Sequence, residues 1–260
     1  MMCFKWLKKL FGSTVELPTW SHAKKVALLF GINNYPGWNS DLRGCVNDIL
    51  LAENVLYDFQ IRKFTDKQVT VENFVNQVEY AIANSVPGDV LYIHYSGHGT
   101  YVEDYSGDEL DGYDEALRLY DGVLIDDKMN SMLQKIPDGV TVCLLLDSCF
   151  SGGSTRSFKQ SRFMPPKFER KEYLRIKRRW YEDLKWVVFS ACSENQTSAD
   201  ALIGGKYHGA FSYYALNTLR GDMTYKTWYD LIRKYLPSRD FDQIPTLEGN
   251  STLINKQVLT

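Results

Sequence analysis

The sequence predicts an α/β fold: a mostly parallel central sheet flanked by helices on both faces. Short apolar runs rich in Val, Ile and Leu alternate with stretches whose apolar residues recur at helical spacing. Turn residues punctuate them, and polar, glycine-bearing turns directly follow two of the apolar runs. The chain has 260 residues, 44% hydrophobic and 24% charged, which suits one large domain with its own core.

Lys25 to Ile32 reads as the first buried strand. Asn33 to Ser40 is a loop marked by Asn33-Asn34 and Pro36-Gly37. From Asp41 to Tyr57, Leu42, Cys45, Val46, Ile49, Ala52, Val55 and Leu56 fall at helical spacing. A short strand at Ile61 to Phe64 leads to a helix over Val71 to Ser85. Pro87-Gly88 turns the chain into the strand Val90 to Ile93. A helix lies within Val123 to Ile136, followed by the strand Val140 to Asp147. Lys185 to Ser190 is another strand, and helices follow at Ala210 to Arg220 and Thr224 to Leu236. Residues 241–260 read as extended.

The formal charge of -2 argues against general nucleic-acid binding. The cysteines (Cys3, Cys45, Cys143, Cys149, Cys192) are odd in number and show no CxxC spacing, so neither a disulfide framework nor a zinc site is expected. A reducing, cytoplasmic setting fits them. No apolar run is long enough to span a membrane. Met1 to Phe11 is basic and amphipathic but lacks the features of a secretory signal, and it is read as a terminal segment without a stable membrane anchor.

Two segments stand out by charge. Between Glu103 and Asp127 there are ten carboxylates, opposed only by Arg118. Between Arg156 and Lys185 there are eleven Lys or Arg against four acids, with a helical pattern around Glu169 to Leu184. Solvated surface is the plain reading of both.

The chemistry lies in Tyr95-Ser96-Gly97-His98-Gly99 and Asp147-Ser148-Cys149-Phe150-Ser151-Gly152. Each follows a strand, and in open α/β sheets ligands bind beyond the strand ends. An imidazole can take a thiol's proton and later hand it to a leaving amine. A buried Cys is usually a small hydrophobe. Here Cys143 has that place inside the apolar run, whereas Cys149 lies in a polar, Gly-rich turn. His94 lies within a strand and reads as packed, and His208 could line the site. Backbone N–H groups near Gly97 and Cys149 are candidates for an oxyanion hole. Asp147, two positions before Cys149, shares its strand face.

With Arg43-Gly44-Cys45-Val46-Asn47-Asp48 and Gln196-Thr197-Ser198-Ala199-Asp200, these motifs resemble the metacaspases of the caspase-like clan, peptidase family C14. The resemblance covers roughly Lys24 to Leu219. The 51-residue step from His98 to Cys149 is also a caspase-like spacing. Phe150 stands where many eukaryotic members have His, a variation similar to bacterial or viral relatives.

The resemblance implies a three-layer caspase-like sandwich. It divides the chain into an N-terminal segment (1–23) and one catalytic domain (24–260). Within that domain, 24–153 is large-subunit-like, 154–184 is a basic intervening segment and 185–260 is small-subunit-like. It implies an endopeptidase cutting protein substrates after Arg or Lys, with His98 and Cys149 as catalytic pair and a monomeric state. Asp48 and Asp147 would floor the specificity pocket, with Cys45 and Ser96 on its walls and Ser198 and Asp200 on a loop beside it. Carboxylates in a recess suit a guanidinium or ammonium group. Calcium would fall to Asp114, Asp126 and Asp127, although Arg156 stands where the family has a fourth carboxylate. An enzyme with this preference could also cut its own basic segment. The alternative is an inactive scaffold that binds basic peptides. No G-x-G-x-x-G or Walker A pattern follows a strand, which sets nucleotide binding aside.

Overall fold

The structure is a computed structural model that describes residues 25–37, 40–103, 113–149, 160–162, 164, 184–192 and 198–260. In chain order its elements are β1 (Lys25–Gly31), α1 (Cys45–Val55), β2 (Gln60–Thr65), α2 (Val71–Ala83) and β3 (Val90–Ser96). Next come β4 (Gly99–Glu103), β5 (Tyr113–Arg118), β6 (Val123–Ile125), α3 (Asp126–Leu133) and β7 (Thr141–Asp147). The remainder is β8 (Gln160–Ser161), β9 (Val187–Ser190), β10 (Ala199–Ile203), β11 (Lys206–Gly209), α4 (Ala210–Thr218), α5 (Tyr225–Ile232), β12 (Thr246–Glu248) and α6 (Ser251–Ile254).

The central sheet has six strands in the order β12-β9-β7-β3-β1-β2. All pair in parallel except β12, which runs antiparallel to β9 at one edge. Successive strand side chains point to opposite faces, which builds two cores. Leu28, Phe30, Leu91, Ile93, Val142 and Leu144 pack on one face with Phe74 and Val78 of α2 and Met132 of α3. Ala27, Leu29, Tyr92, Cys143 and Leu145 pack on the other with Ile49 of α1, Phe211 and Leu216 of α4 and Trp228 of α5. The layers are therefore helix, sheet, helix. Burial on both faces is why these strands read as unbroken apolar runs.

Four sequence expectations are corrected. First, α1 starts at Cys45 rather than Asp41, because the backbone before it is bonded elsewhere. Leu42 N–H donates to the Asn33 carbonyl, and the Arg43 and Gly44 N–H groups donate to the Asp200 carboxylate. Second, Asp200 lies not on a loop but in β10, paired with Gly209 of β11. The hairpin turns at Gly204 and Gly205, both at positive φ (61° and 85°), which side chains disfavour. Third, residues 241–260 are not simply extended: β12 is followed by the short α6. Fourth, the acidic stretch contributes β4, β5 and β6, a second antiparallel sheet in which Asp114 and Glu115 are buried. The helical pattern at Glu169 to Leu184 and the segment 1–23 lie outside the described residues, Leu184 apart. No helix among the described residues is long and apolar enough to cross a membrane.

Trp228 ties α5 to the sheet. It is fully buried, packs on Phe189 at 4.5 Å between ring centroids, and donates Nε1–H to the Ala215 carbonyl at 2.9 Å. Trp228→Ala is expected to destabilise the fold by about 3–5 kcal/mol, read as a lowered urea midpoint.

Candidate active site

Strand register sets the site. Gly31 of β1 pairs with Ser96 of β3, and Ser96 pairs with Asp147 of β7, so the three strands end level. His98 and Cys149 each follow two residues beyond those paired ends, at the same edge of the sheet. The two turns touch at Gly99, where an added Cβ would strike the Cys149 carbonyl oxygen.

His98 is held from several directions. Its N–H donates to Tyr35 Oη at 2.7 Å, and its carbonyl lies 2.8 Å from Tyr95 Oη and accepts from Arg118 N–H at 2.9 Å. The Tyr35 ring packs against the imidazole at 4.8 Å. Nε2 lies 2.7 Å from the Ser40 carbonyl, which can only accept, so Nε2 carries the proton and Nδ1 is left as the basic nitrogen. Burial pushes the His98 pKa below its ordinary value, while the Ser40 and Arg162 carbonyls pull the other way.

Cys149 is fully buried. Its Sγ accepts a hydrogen bond from Ser198 N–H and lies 3.6 Å from the Ser198 carbonyl. The Gly99 and Cys149 N–H groups both donate to one oxygen, the backbone carbonyl of Arg162, at 2.9 and 3.4 Å. The Gly97 N–H, expected as an oxyanion donor, is bonded to the Asp147 carbonyl at 3.2 Å, so the N–H beside that of Cys149 is the one of Gly99. The glycine two residues further on is the one that faces the sulfur's turn.

The acidic recess is built from Asp48 of α1, Asp147 at the end of β7 and Asp200 of β10, all essentially without exposure. Each carboxylate is fixed by donors from a different part of the chain. Asp48 accepts from Ser96 Oγ at 2.7 Å and from Gly209 N–H, with His208 Nδ1 at 3.0 Å. Asp147 accepts from Ser198 Oγ at 2.6 Å and from Ser212 N–H at 2.9 Å. Gly209 and Ser212 bracket the start of α4, where free N–H groups favour negative charge. Burial raises the Asp48 pKa, opposed by Arg162 and His208.

The guanidinium of Arg162 fills this recess with no exposure. Nη2 reaches Asp48 at 2.8 Å and Asp200 at 3.0 Å; Nη1 reaches Asp147 at 3.3 Å and Ser96 Oγ at 2.6 Å. Burial alone would lower its pKa, but Asp147, Cys45, Asp48 and Asp200 together raise it, so the side chain stays charged. Cys45 is buried within electrostatic reach of Arg162 and Ser96, and desolvation raises its own pKa.

The structure thus brings His98, Cys149, Cys45, Asp48, Ser96 and Asp147 together. His208 joins them through Asp48, whereas His94 is packed against Ser212 and burial pushes its pKa down to about 3. Asp114 lies in β5, and Asp126 and Asp127 open α3; among the described residues no cluster of carboxylate, His or Cys side chains is gathered to hold a metal ion. Sequence reasoning missed Arg162, one basic residue among many, and Tyr35 and Ser40, whose roles depend on contacts across the fold. Asp200, which the resemblance set on a loop beside the pocket, lies in the recess itself.

The Caspase domain family matches residues 24–255. Metacaspase-1 of Pyricularia oryzae is 30% identical, over 90% of this chain and 74% of its own length. Metacaspase-1 of Mycosarcoma maydis is 29% identical, over 87% and 70%. Among solved structures, protein GSU0716 of Geobacter sulfurreducens superposes with a TM-score of 0.69 at 26% identity, covering 91% of this chain and 98% of that one. Caspase-1 of Spodoptera frugiperda gives 0.62 at 15% identity, over 88% and 89%, a likeness of fold.

Two outcomes are expected for peptide hydrolysis. Burial disfavours the imidazolium, so His98 acting as the base would stay neutral to lower pH, and the acid limb of kcat should lie below that expected of an ordinary histidine. Tyr35→Phe removes the acceptor of the buried His98 N–H and should lower kcat about tenfold with little change in KM, measured by steady-state kinetics.

Proposed function

This chain belongs to the caspase-domain family of cysteine peptidases, and from that premise we propose an endopeptidase that cuts after Arg or Lys using Cys149 and His98. The observation that carries the reading is Arg162. Its guanidinium sits among Asp48, Asp147 and Asp200 while its carbonyl oxygen accepts from the Gly99 and Cys149 N–H groups. That is where a substrate's cation and its reacting carbonyl would have to be held at once.

In the reaction, His98 Nδ1 takes the Cys149 thiol proton and the sulfur attacks the carbonyl carbon. The Gly99 and Cys149 N–H groups stabilise the charge that develops on oxygen. The C–N bond breaks as His98 returns the proton to the leaving amine, leaving a thioester. Water, deprotonated by His98, hydrolyses the thioester. The recess selects substrates because it holds buried carboxylates that an apolar or acidic side chain would leave uncompensated.

A peptide library should be cut after Arg or Lys and not after Asp; robust cleavage after Asp would overturn the pocket assignment. Cys149→Ala should abolish turnover, and thiol-probe labelling at Cys149 separates a catalyst from a silent scaffold. Asp48→Asn should lower kcat/KM for an Arg peptide by about 100-fold, roughly 3 kcal/mol, because it breaks a buried ion pair. Calcium activation, implied by the family resemblance, is tested by titration calorimetry: a calcium heat that Asp126→Ala removes would add the ion to this scheme.

A further inference from the structure

We infer that Gln243 is a positioning residue for the nucleophile: it fixes the Ser198 backbone, and the Ser198 N–H in turn orients the Cys149 sulfur. The inference rests on the proposed reading of Cys149 as nucleophile and goes beyond it in naming what aims the sulfur.

Gln243 comes from the segment between α5 and β12, distant in sequence from both reactive turns, and it has no exposure. A buried amide is costly unless both of its ends are hydrogen-bonded. Here Nε2 donates to the Ala191 carbonyl at 3.1 Å, and Oε1 accepts from the Ala199 N–H at 3.0 Å. The side chain takes over where the sheet ladder stops. β12 pairs with β9 as far as Thr246 and Ser190, and the carbonyl of the next residue, Ala191, is met by the amide of Gln243. On the β7 side, Ala191 N–H donates to the Leu146 carbonyl at 3.0 Å. Gln243 therefore ties the end of β9 to the start of β10. Its own segment is anchored, because the Pro245 carbonyl accepts from Tyr229 Oη of α5 at 3.1 Å and Ser238 N–H donates to the Phe241 carbonyl at 2.6 Å.

The Ser198–Ala199 peptide unit is the part held. In a trans peptide the N–H and the carbonyl point opposite ways. The Ala199 N–H faces Gln243, and the Ser198 carbonyl faces away to accept from Arg162 N–H at 3.2 Å. On the other side of the same residue, Ser198 N–H donates to Cys149 Sγ, and Ser198 Oγ donates to Asp147 at 2.6 Å. Without the Gln243 oxygen the Ala199 N–H is buried and unpaired, and the peptide plane turns to find an acceptor, carrying Ser198 with it. The hydrogen bonds of Gln243 go to backbone, so it acts through Ser198 and is not itself a catalytic group.

The test is steady-state hydrolysis of a soluble Arg reporter peptide by the full chain, with urea midpoints measured in parallel. Gln243→Met keeps the length of the side chain but offers only a weak acceptor. It should lower kcat about tenfold, the effect of one lost hydrogen bond, with KM changed less than about threefold. Gln243→Glu keeps an oxygen for the Ala199 N–H in either protonation state and should hold kcat within about threefold of wild type. Ile232→Val, fully buried in the core on α5, should lower the urea midpoint and leave kcat unchanged, which separates lost stability from lost turnover. Where Gln243→Met does not fold, Gln243→Ala takes its place, and added acetamide, with the same donor and acceptor, should restore its kcat at least about threefold. The inference is overturned if Gln243→Met keeps the wild-type kcat, if Gln243→Glu and Gln243→Met lose it alike, or if acetamide restores nothing to Gln243→Ala. If the wild type itself does not hydrolyse the reporter, the peptidase reading of Cys149 fails instead.

Discussion

Three carboxylates buried in one recess are the constraint around which this molecule is organised. Charge removed from water is costly unless it is paired and hydrogen-bonded. Asp48, Asp147 and Asp200 meet that demand by drawing in donors from well-separated parts of the chain. Arg43 and Gly44 serve Asp200, Ser198 and Ser212 serve Asp147, and Ser96, His208 and Gly209 serve Asp48. The entry to α1, the end of β7, the β10–β11 hairpin and the start of α4 are thereby fixed relative to one another. Gly209 lies so close that a Cβ there would strike the Asp147 carboxylate. His98 and Cys149 are positioned by the same elements, so the recess and the His–Cys pair share one frame.

What the sequence discloses follows from how local each signal is. The strands β1, β3 and β7 are contiguous and buried on both faces, so they are plain as apolar runs. His98 and Cys149 are legible for the same reason, since each sits in a polar turn at the end of such a run. Asp147 is legible through strand periodicity. The helix limits are blurred where the backbone is claimed by distant side chains, as Asp200 claims Arg43 and Gly44.

The parts that stayed hidden depend on contacts made only after folding. Gly97 and Gly99 are equally plausible donors in a string of letters. Only the bond from Gly97 N–H to Asp147 distinguishes them. The acid-rich stretch looks like solvated surface, yet Asp114 and Glu115 are buried in β5, where they pair with Val102 and Tyr101 of β4. Arg162 is the sharpest case. A cation in a basic, polar stretch carries no mark of burial, and its place is assigned by the recess it meets.

Gly99 touches Arg162 and Met164 through its N–H and its carbonyl respectively. One residue thus measures the chain at two successive peptide links, as a gauge with two fixed jaws. The second jaw needs an amide hydrogen at position 164. An imino acid there has none to give and would leave the Gly99 oxygen without that partner. In this sequence Pro165 and Pro166 begin one step later, just beyond the gauge.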